Sequence, residues 1–189
     1  FGNSGAASCE NLETLFSAKL EADPDNEALL AQAVQLMSRA QCTSDFFFAT
    51  TEKYYIAKPS SEIALFLAQG FQNRGENDKA LKYLREALAV ETDPSKKEPL
   101  YAKIALIEVT NQNFAAAADA ARELRSINPQ NGIAFFILGQ CYASTPCKDD
   151  KINGASVYWV AYDAMAQAVN FLKDEPELQK AAQHFMNSY

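Results

Sequence analysis

Apolar residues recur along most of this chain at the three- and four-residue spacing of amphipathic helices, and prolines interrupt them at regular intervals. The clearest stretch runs from Ser61 to Pro94. Its first half, SEIALFLAQGFQNRG, aligns Ala64, Leu67, Ala68 and Phe71 on one face. Its second half, ENDKALKYLREALAVETDP, does the same with Ala80, Leu84 and Ala87. Pro24, Pro59, Pro94, Pro129 and Pro176 stand 35, 35, 35 and 47 residues apart. Pro94 is expected to close the second helix of its unit, because proline lacks an N–H and clashes with the preceding turn. The pattern predicts ten helices, over 10–22, 26–40, 44–57, 60–74, 77–91, 96–111, 114–127, 131–144, 156–172 and 176–188. Helix pairs at a fixed period cannot each bury an apolar face alone, so they stack on their neighbours. The expected fold class is therefore all-α, a right-handed solenoid of antiparallel helix pairs.

The Ser61–Pro94 unit resembles the tetratricopeptide repeat, with small residues at Ala68 and Ala80 and larger ones at Leu67, Phe71 and Leu84. A unit over 98–129 matches through Tyr101, Ile104, Ala105, Ala117, Ala121 and Leu124, but carries Glu108 where the pattern has an aromatic. The next, 132–176, has Phe135, Leu138, Gly139 and Tyr142 in its first helix. Its second helix, with Ala161, Met165 and Ala168, fits only after an insertion at 145–156. A looser unit spans 27–59, with Leu30, Ala33, Val34 and Met37. A partial first repeat (9–24) and a capping helix (176–188, apolar at Leu178, Ala181, Ala182 and Phe185) complete a single expected domain over 1–189. The resemblance implies protein or peptide binding without chemistry.

Composition narrows the partners. A net charge of −7 and a pI near 4.8 count against nucleic acid, since phosphate binding needs clustered Lys and Arg. The basic doublet Lys96–Lys97 is surrounded by acidic residues. No apolar run reaches bilayer length. The chain begins at Phe1 within the repeat pattern, which suggests a processed or excised fragment from which any export signal could have been removed, so the absence of one says little.

Four cysteines are present, Cys9, Cys42, Cys141 and Cys147, without a zinc spacing. In the hairpin of the first two helices, Cys9 and Cys42 fall at the same open end, where a bridge would close a 34-residue loop. The chain-entropy account assigns such a loop about 3.8 kcal/mol. Cys141 and Cys147 flank the start of the insertion and would pin its base. The alternative is four free thiols in a cytoplasmic protein. The segments CENLETLF, GQCYASTPCKDD and VYWVAYDAMAQA resemble exported tetratricopeptide proteins of bacterial envelopes. That resemblance implies oxidised cysteines and a periplasmic or cell-surface location.

Candidate chemistry is absent. His184 is the lone histidine, so neither a metal set nor a histidine-activated nucleophile can be assembled around it. No glycine-rich phosphate loop occurs, and Lys151 spoils the calcium-loop spacing of Asp149, Asp150 and Asn153. No cofactor, metal or enzymatic activity is expected.

Binding is the remaining function, and in such stacks the first helix of each pair lines the concave face. Repeat numbering places Gln35, Arg39, Leu65, Gln69, Gln72, Asn73, Leu106, Val109, Ile133, Phe136 and Gln140 there. Amides that both donate and accept suit an extended peptide backbone. The basic clamp that holds chaperone tails is not matched, because Ala31, Gln35, Phe66 and Pro99 occupy its positions and only Lys103 is cationic. Trp159, just after the insertion, is expected to pack into the core. The leading expectation is a non-enzymatic peptide-binding scaffold of the bacterial envelope. The alternatives are a helical module of a larger glycan- or nutrient-uptake protein, which exposed aromatics near the insertion would favour, and a structural module fused to another domain.

Overall fold

The structure, a computed structural model, describes residues 8–145 and 151–188. These form ten α-helices: α1 (Cys9–Ala22), α2 (Glu27–Arg39), α3 (Asp45–Ala57), α4 (Ser61–Asn73), α5 (Asn77–Val90), α6 (Pro94–Thr110), α7 (Phe114–Ile127), α8 (Gly132–Ser144), α9 (Lys151–Phe171) and α10 (Pro176–Met186). They group into two compact units, residues 1–90 and 91–189. Among the described residues no helix is long and apolar enough to cross a membrane.

Short polar side chains set where the helices begin. Ser8, Asn26, Ser44, Ser60, Asp93 and Asn131 each accept a hydrogen bond from a first-turn N–H of the helix that follows. Such caps satisfy donors that have no partner within the helix. The prolines divide into two roles. Pro24, Pro59 and Pro129 lie in the links after α1, α3 and α7, as expected. Pro94, expected to end α5, instead opens α6: α5 stops at Val90 and Asp93 caps the helix that Pro94 starts. Proline is tolerated there because an N–H at the first helical position would be unpaired anyway.

The turns inside the pairs carry the repeat. After α2, α4 and α6 the chain passes through a left-handed residue: Gln41 (φ 56°), Gly75 (φ 75°) and Gln112 (φ 61°). In each case the next N–H reaches back across the helix end, Cys42 to Met37, Glu76 to Phe71 and Asn113 to Glu108, at 3.0, 2.8 and 2.8 Å. This is one helix-terminating motif used three times.

In the N-terminal unit, Leu12, Phe16 and Leu20 of α1 pack with Leu30, Ala33 and Met37 of α2 and with Phe47 of α3. The expected core positions Ala64, Leu67, Ala68, Phe71, Ala80, Leu84 and Ala87 are all buried. Phe71 stacks on Tyr83 with ring centroids 5.7 Å apart, and Tyr55 meets Tyr83 edge-on at 5.4 Å. Such aromatic pairs add about 1 kcal/mol beyond area burial.

In the C-terminal unit, Ala117, Ala121 and Leu124 of α7 are fully buried, as are Ala161, Met165 and Ala168 of α9. Gly139 permits close approach of α8 and α9: a Cβ there would lie 2.9 Å from Met165 Cε and 3.2 Å from the Ala161 carbonyl oxygen. Glu98 ties the start of α6 to the α7–α8 link. Its Oε1 accepts from Asn128 Nδ2 at 2.8 Å and from Asn131 Nδ2 at 2.9 Å. Glu108, the non-aromatic substitute in the repeat pattern, is buried and accepts from Asn113 Nδ2 at 2.9 Å.

Three expectations need correction. Trp159 is not a core residue but 73% exposed, because Ala161, Ala164, Met165 and Ala168 form the buried face of α9 and Trp159 lies opposite. The expected insertion at 145–156 is partly helical, since α9 already begins at Lys151. Ala181 is exposed, and Ala182 alone of the alanine pair is fully buried.

Candidate peptide-binding cleft

The link from α2 to α3 and the facing side of α4 enclose a cleft of about 320 Å³ in the N-terminal unit. Its apolar part is Phe47, Phe48 and Phe66; its polar rim includes Gln41, Gln69 and Asn73. The rings form one cluster. Phe66 meets Phe47 edge-on at 5.5 Å and stacks with Phe48 at 6.2 Å. Phe47 and Phe48 are buried, whereas Phe66 is 38% exposed and presents its ring to solvent.

Gly70 makes this arrangement possible, because a Cβ at that position would collide with the Phe48 ring. Arg74, the C-cap of α4, packs on two of the lining residues. Its guanidinium lies 4.3 Å from the centre of the Phe48 ring, donates to the Thr43 carbonyl at 2.9 Å and pairs with Asp45 at 2.8 Å. The cation on the ring face adds attraction to the packing. At the rim, Gln69 Nε2 donates to Asn73 Oδ1 at 3.0 Å, which orients both amides on one side of α4.

The expected groove residues fall in different environments. Gln69 and Asn73 line the cleft. Gln35 and Arg39 are exposed on α2, and Leu65 and Gln72 are half-buried on α4, outside its lining. In the C-terminal unit, Leu106 and Val109 on α6 and Ile133 and Gln140 on α8 are half-buried, while Phe136 is 6% exposed. A second cleft of about 380 Å³, between α7, α8 and α9, includes Arg125, Phe135, Tyr142, Val160 and Asp163 and none of these. Sequence reasoning missed the aromatic cleft lining. The signal was available in the run Phe46-Phe47-Phe48 and in Phe66, a large apolar residue off the buried face of α4.

Cys9 and Cys42 are joined by a disulfide, with Cα atoms 5.5 Å apart, and Cys42 lies in the cleft wall. Cys141 is a free, buried thiol, and Cys147 lies outside the described residues. Burial pushes the Cys141 thiol up to about 11, against a smaller opposing pull from Arg122. Burial, and then the hydrogen bond its hydroxyl donates to Glu52 Oε1 at 2.6 Å, raise the pKa of Tyr83. Among the described residues no group of three or more His, Cys, Asp or Glu is placed to hold a metal ion.

No family model matches this chain, and no curated protein sequence matches it. Solved structures do. One described as the crystal structure of MamA aligns with a TM-score of 0.61 at 16% identity, over 94% of this chain and 99% of that one. A second, described as the crystal structure of MamA protein, aligns with a TM-score of 0.61 at 18% identity, over 89% and 85%. The envelope location expected from the sequence is corrected by this result. The two solved structures named above are both described as MamA, and neither description is of an exported or envelope protein. The chain has the all-helical, tetratricopeptide-like repeat fold of MamA.

Proposed function

We propose that this protein is a non-enzymatic scaffold that receives an extended peptide segment in the N-terminal cleft. One bulky apolar side chain of the peptide sits against Phe47, Phe48 and Phe66, and Gln41, Gln69 and Asn73 bond its backbone. The observation that carries the reading is an oriented amide pair directly beside a partly exposed aromatic cluster. Mostly apolar clefts with a few placed polar groups are the usual form of a binding site. Leu106, Val109, Ile133 and Gln140 are proposed as a further contact set in the C-terminal unit, and Phe136 is buried.

A peptide-display selection tests this. Enriched peptides are expected to share a Phe, Leu, Met or Trp anchor, and Phe66→Ala to weaken them about tenfold or more, as removal of a buried anchor does. Selected binders indifferent to both Phe66→Ala and Gln69→Ala would overturn it.

A second reading, a helical module of a larger glycan- or nutrient-uptake protein, is favoured by the exposure of Trp159 (73%) and Tyr162 (44%) on α9. A likeness limited to fold supports a module of this kind at least as well as it supports groove binding. Trp159 is the single tryptophan of the chain, so its fluorescence reports on this surface directly. Quenching or a blue shift with soluble oligosaccharides, and none with the selected peptides, would move the assignment to this reading.

A further inference from the structure

The disulfide and the candidate cleft share a wall. Cys42 is 4% exposed, lines the cleft and belongs to the apolar cluster that seats α1. Phe47 has the same double membership, in the cleft lining and in the cluster with Leu12, Phe16 and Leu20. The segment between them is held by the Ser44 cap of α3, by the Arg74–Asp45 pair and by backbone contacts at its start. Gln41 holds a left-handed conformation, the Cys42 N–H donates to the Met37 carbonyl, and Arg74 holds the Thr43 carbonyl. Helix α1 contributes three buried side chains, Leu12, Phe16 and Leu20, and the Cys9–Cys42 bond ties its N-terminal end to the α2–α3 link.

We propose that thiol–disulfide exchange at Cys9–Cys42 gates this cleft: oxidised, it is held in binding form; reduced, α1 detaches and the 41–48 wall loosens. The inference rests on reading the cleft as the binding site. The reductant class is a dithiol. One of its thiolates attacks the Cys9 sulfur, the more exposed of the pair, breaking the Sγ–Sγ bond and releasing Cys42 as a thiolate that takes up a proton. Its second thiol then displaces Cys9. Two electrons reach the protein, leaving two cysteine thiols and an oxidised dithiol.

Amide hydrogen exchange followed by mass spectrometry, with and without dithiothreitol, tests the gate without a ligand. Reduction is expected to speed exchange in residues 9–22 and 41–48 about tenfold or more, while α4 and α5 keep their protection. The Cys9→Ser, Cys42→Ser double variant should behave as the reduced protein, and reoxidation of the wild type should restore protection. Should the double variant fail to fold, the reduced and reoxidised wild type still decides. Faster exchange confined to 9–22, with 41–48 unchanged, would overturn the gate and leave the bond a staple for α1. Peptides from the display selection that bind equally to both forms would overturn it as well. A cleft that loosens on reduction yet captures no peptide would uphold the gate and sink the peptide-binding reading.

Discussion

Gly70 and Gly75 sit five positions apart and are glycine for different reasons. At Gly70 a methyl group has no room, since the Phe48 ring occupies its place, while at Gly75 the space is open and only the positive φ of 75° matters. Gly70→Ala should therefore cost about 1–3 kcal/mol, the usual range for overpacking. Gly75→Ala should cost about 1 kcal/mol through backbone strain. Urea denaturation of the two variants checks the order, and the Gly70 variant should also perturb the Phe48–Phe66 cluster. Glu98 serves two asparagines at once, so Glu98→Ala leaves Asn128 and Asn131 without that acceptor and should cost about 1–3 kcal/mol.

Cys141 gives a pH dependence whose sign is fixed. Its folded pKa of about 11 lies above the ordinary 9.0, so the fold favours the protonated thiol. That contribution is fully present below pH 9.0 and is lost as pH rises toward about 11. Stability should fall through this window, and Cys141→Ala should flatten that part of the profile in thermal melts. Alkylation mapped to Cys141 should be slow in the folded protein at pH 8 and fast after denaturation, because the thiolate is scarce and the sulfur is shielded.

At the scale of elements, the helices were legible because local signals agree with one another. Apolar spacing in α4, α5 and α7 points to the residues that are buried, and Ser60 stands as the cap where α4 begins. What was illegible depends on neighbours that a linear pattern does not name. Pro94 reads as a stop from its period, but Asp93 beside it makes the same residue a start. Asp93→Ala should cost about 1 kcal/mol as a lost cap, whereas Pro94→Ala should change stability by less, which paired denaturation curves can check. The α3 run Phe46-Phe47-Phe48 carries no clear single face, so only contact with Phe66 and Phe71 reveals that two of its rings build a cleft. Assigning concave-face positions helix by helix included Gln69 and Asn73 on α4, which line the candidate cleft. It missed the α2–α3 link, because the lining there comes from a turn rather than from a repeat position. Trp159 was misread since aromatic bulk usually signals burial, and the buried stripe of α9 is instead made of Met165 and three alanines, packed against Gly139 of α8.

For the molecule as a whole, function follows from what the fold can offer. The proposed role is action through a surface of an acidic, all-helical chain, and the aromatic-and-amide cleft is the surface on which that proposal rests. The most direct test is backbone amide chemical-shift mapping of isotopically labelled protein titrated with a display-selected peptide carrying one apolar anchor. Perturbations concentrated at residues 41–48 and 66–74, saturating with peptide and absent in Phe66→Ala, are the predicted result. Saturable shifts centred instead on α9 around Trp159, with the N-terminal cleft silent, would contradict the account.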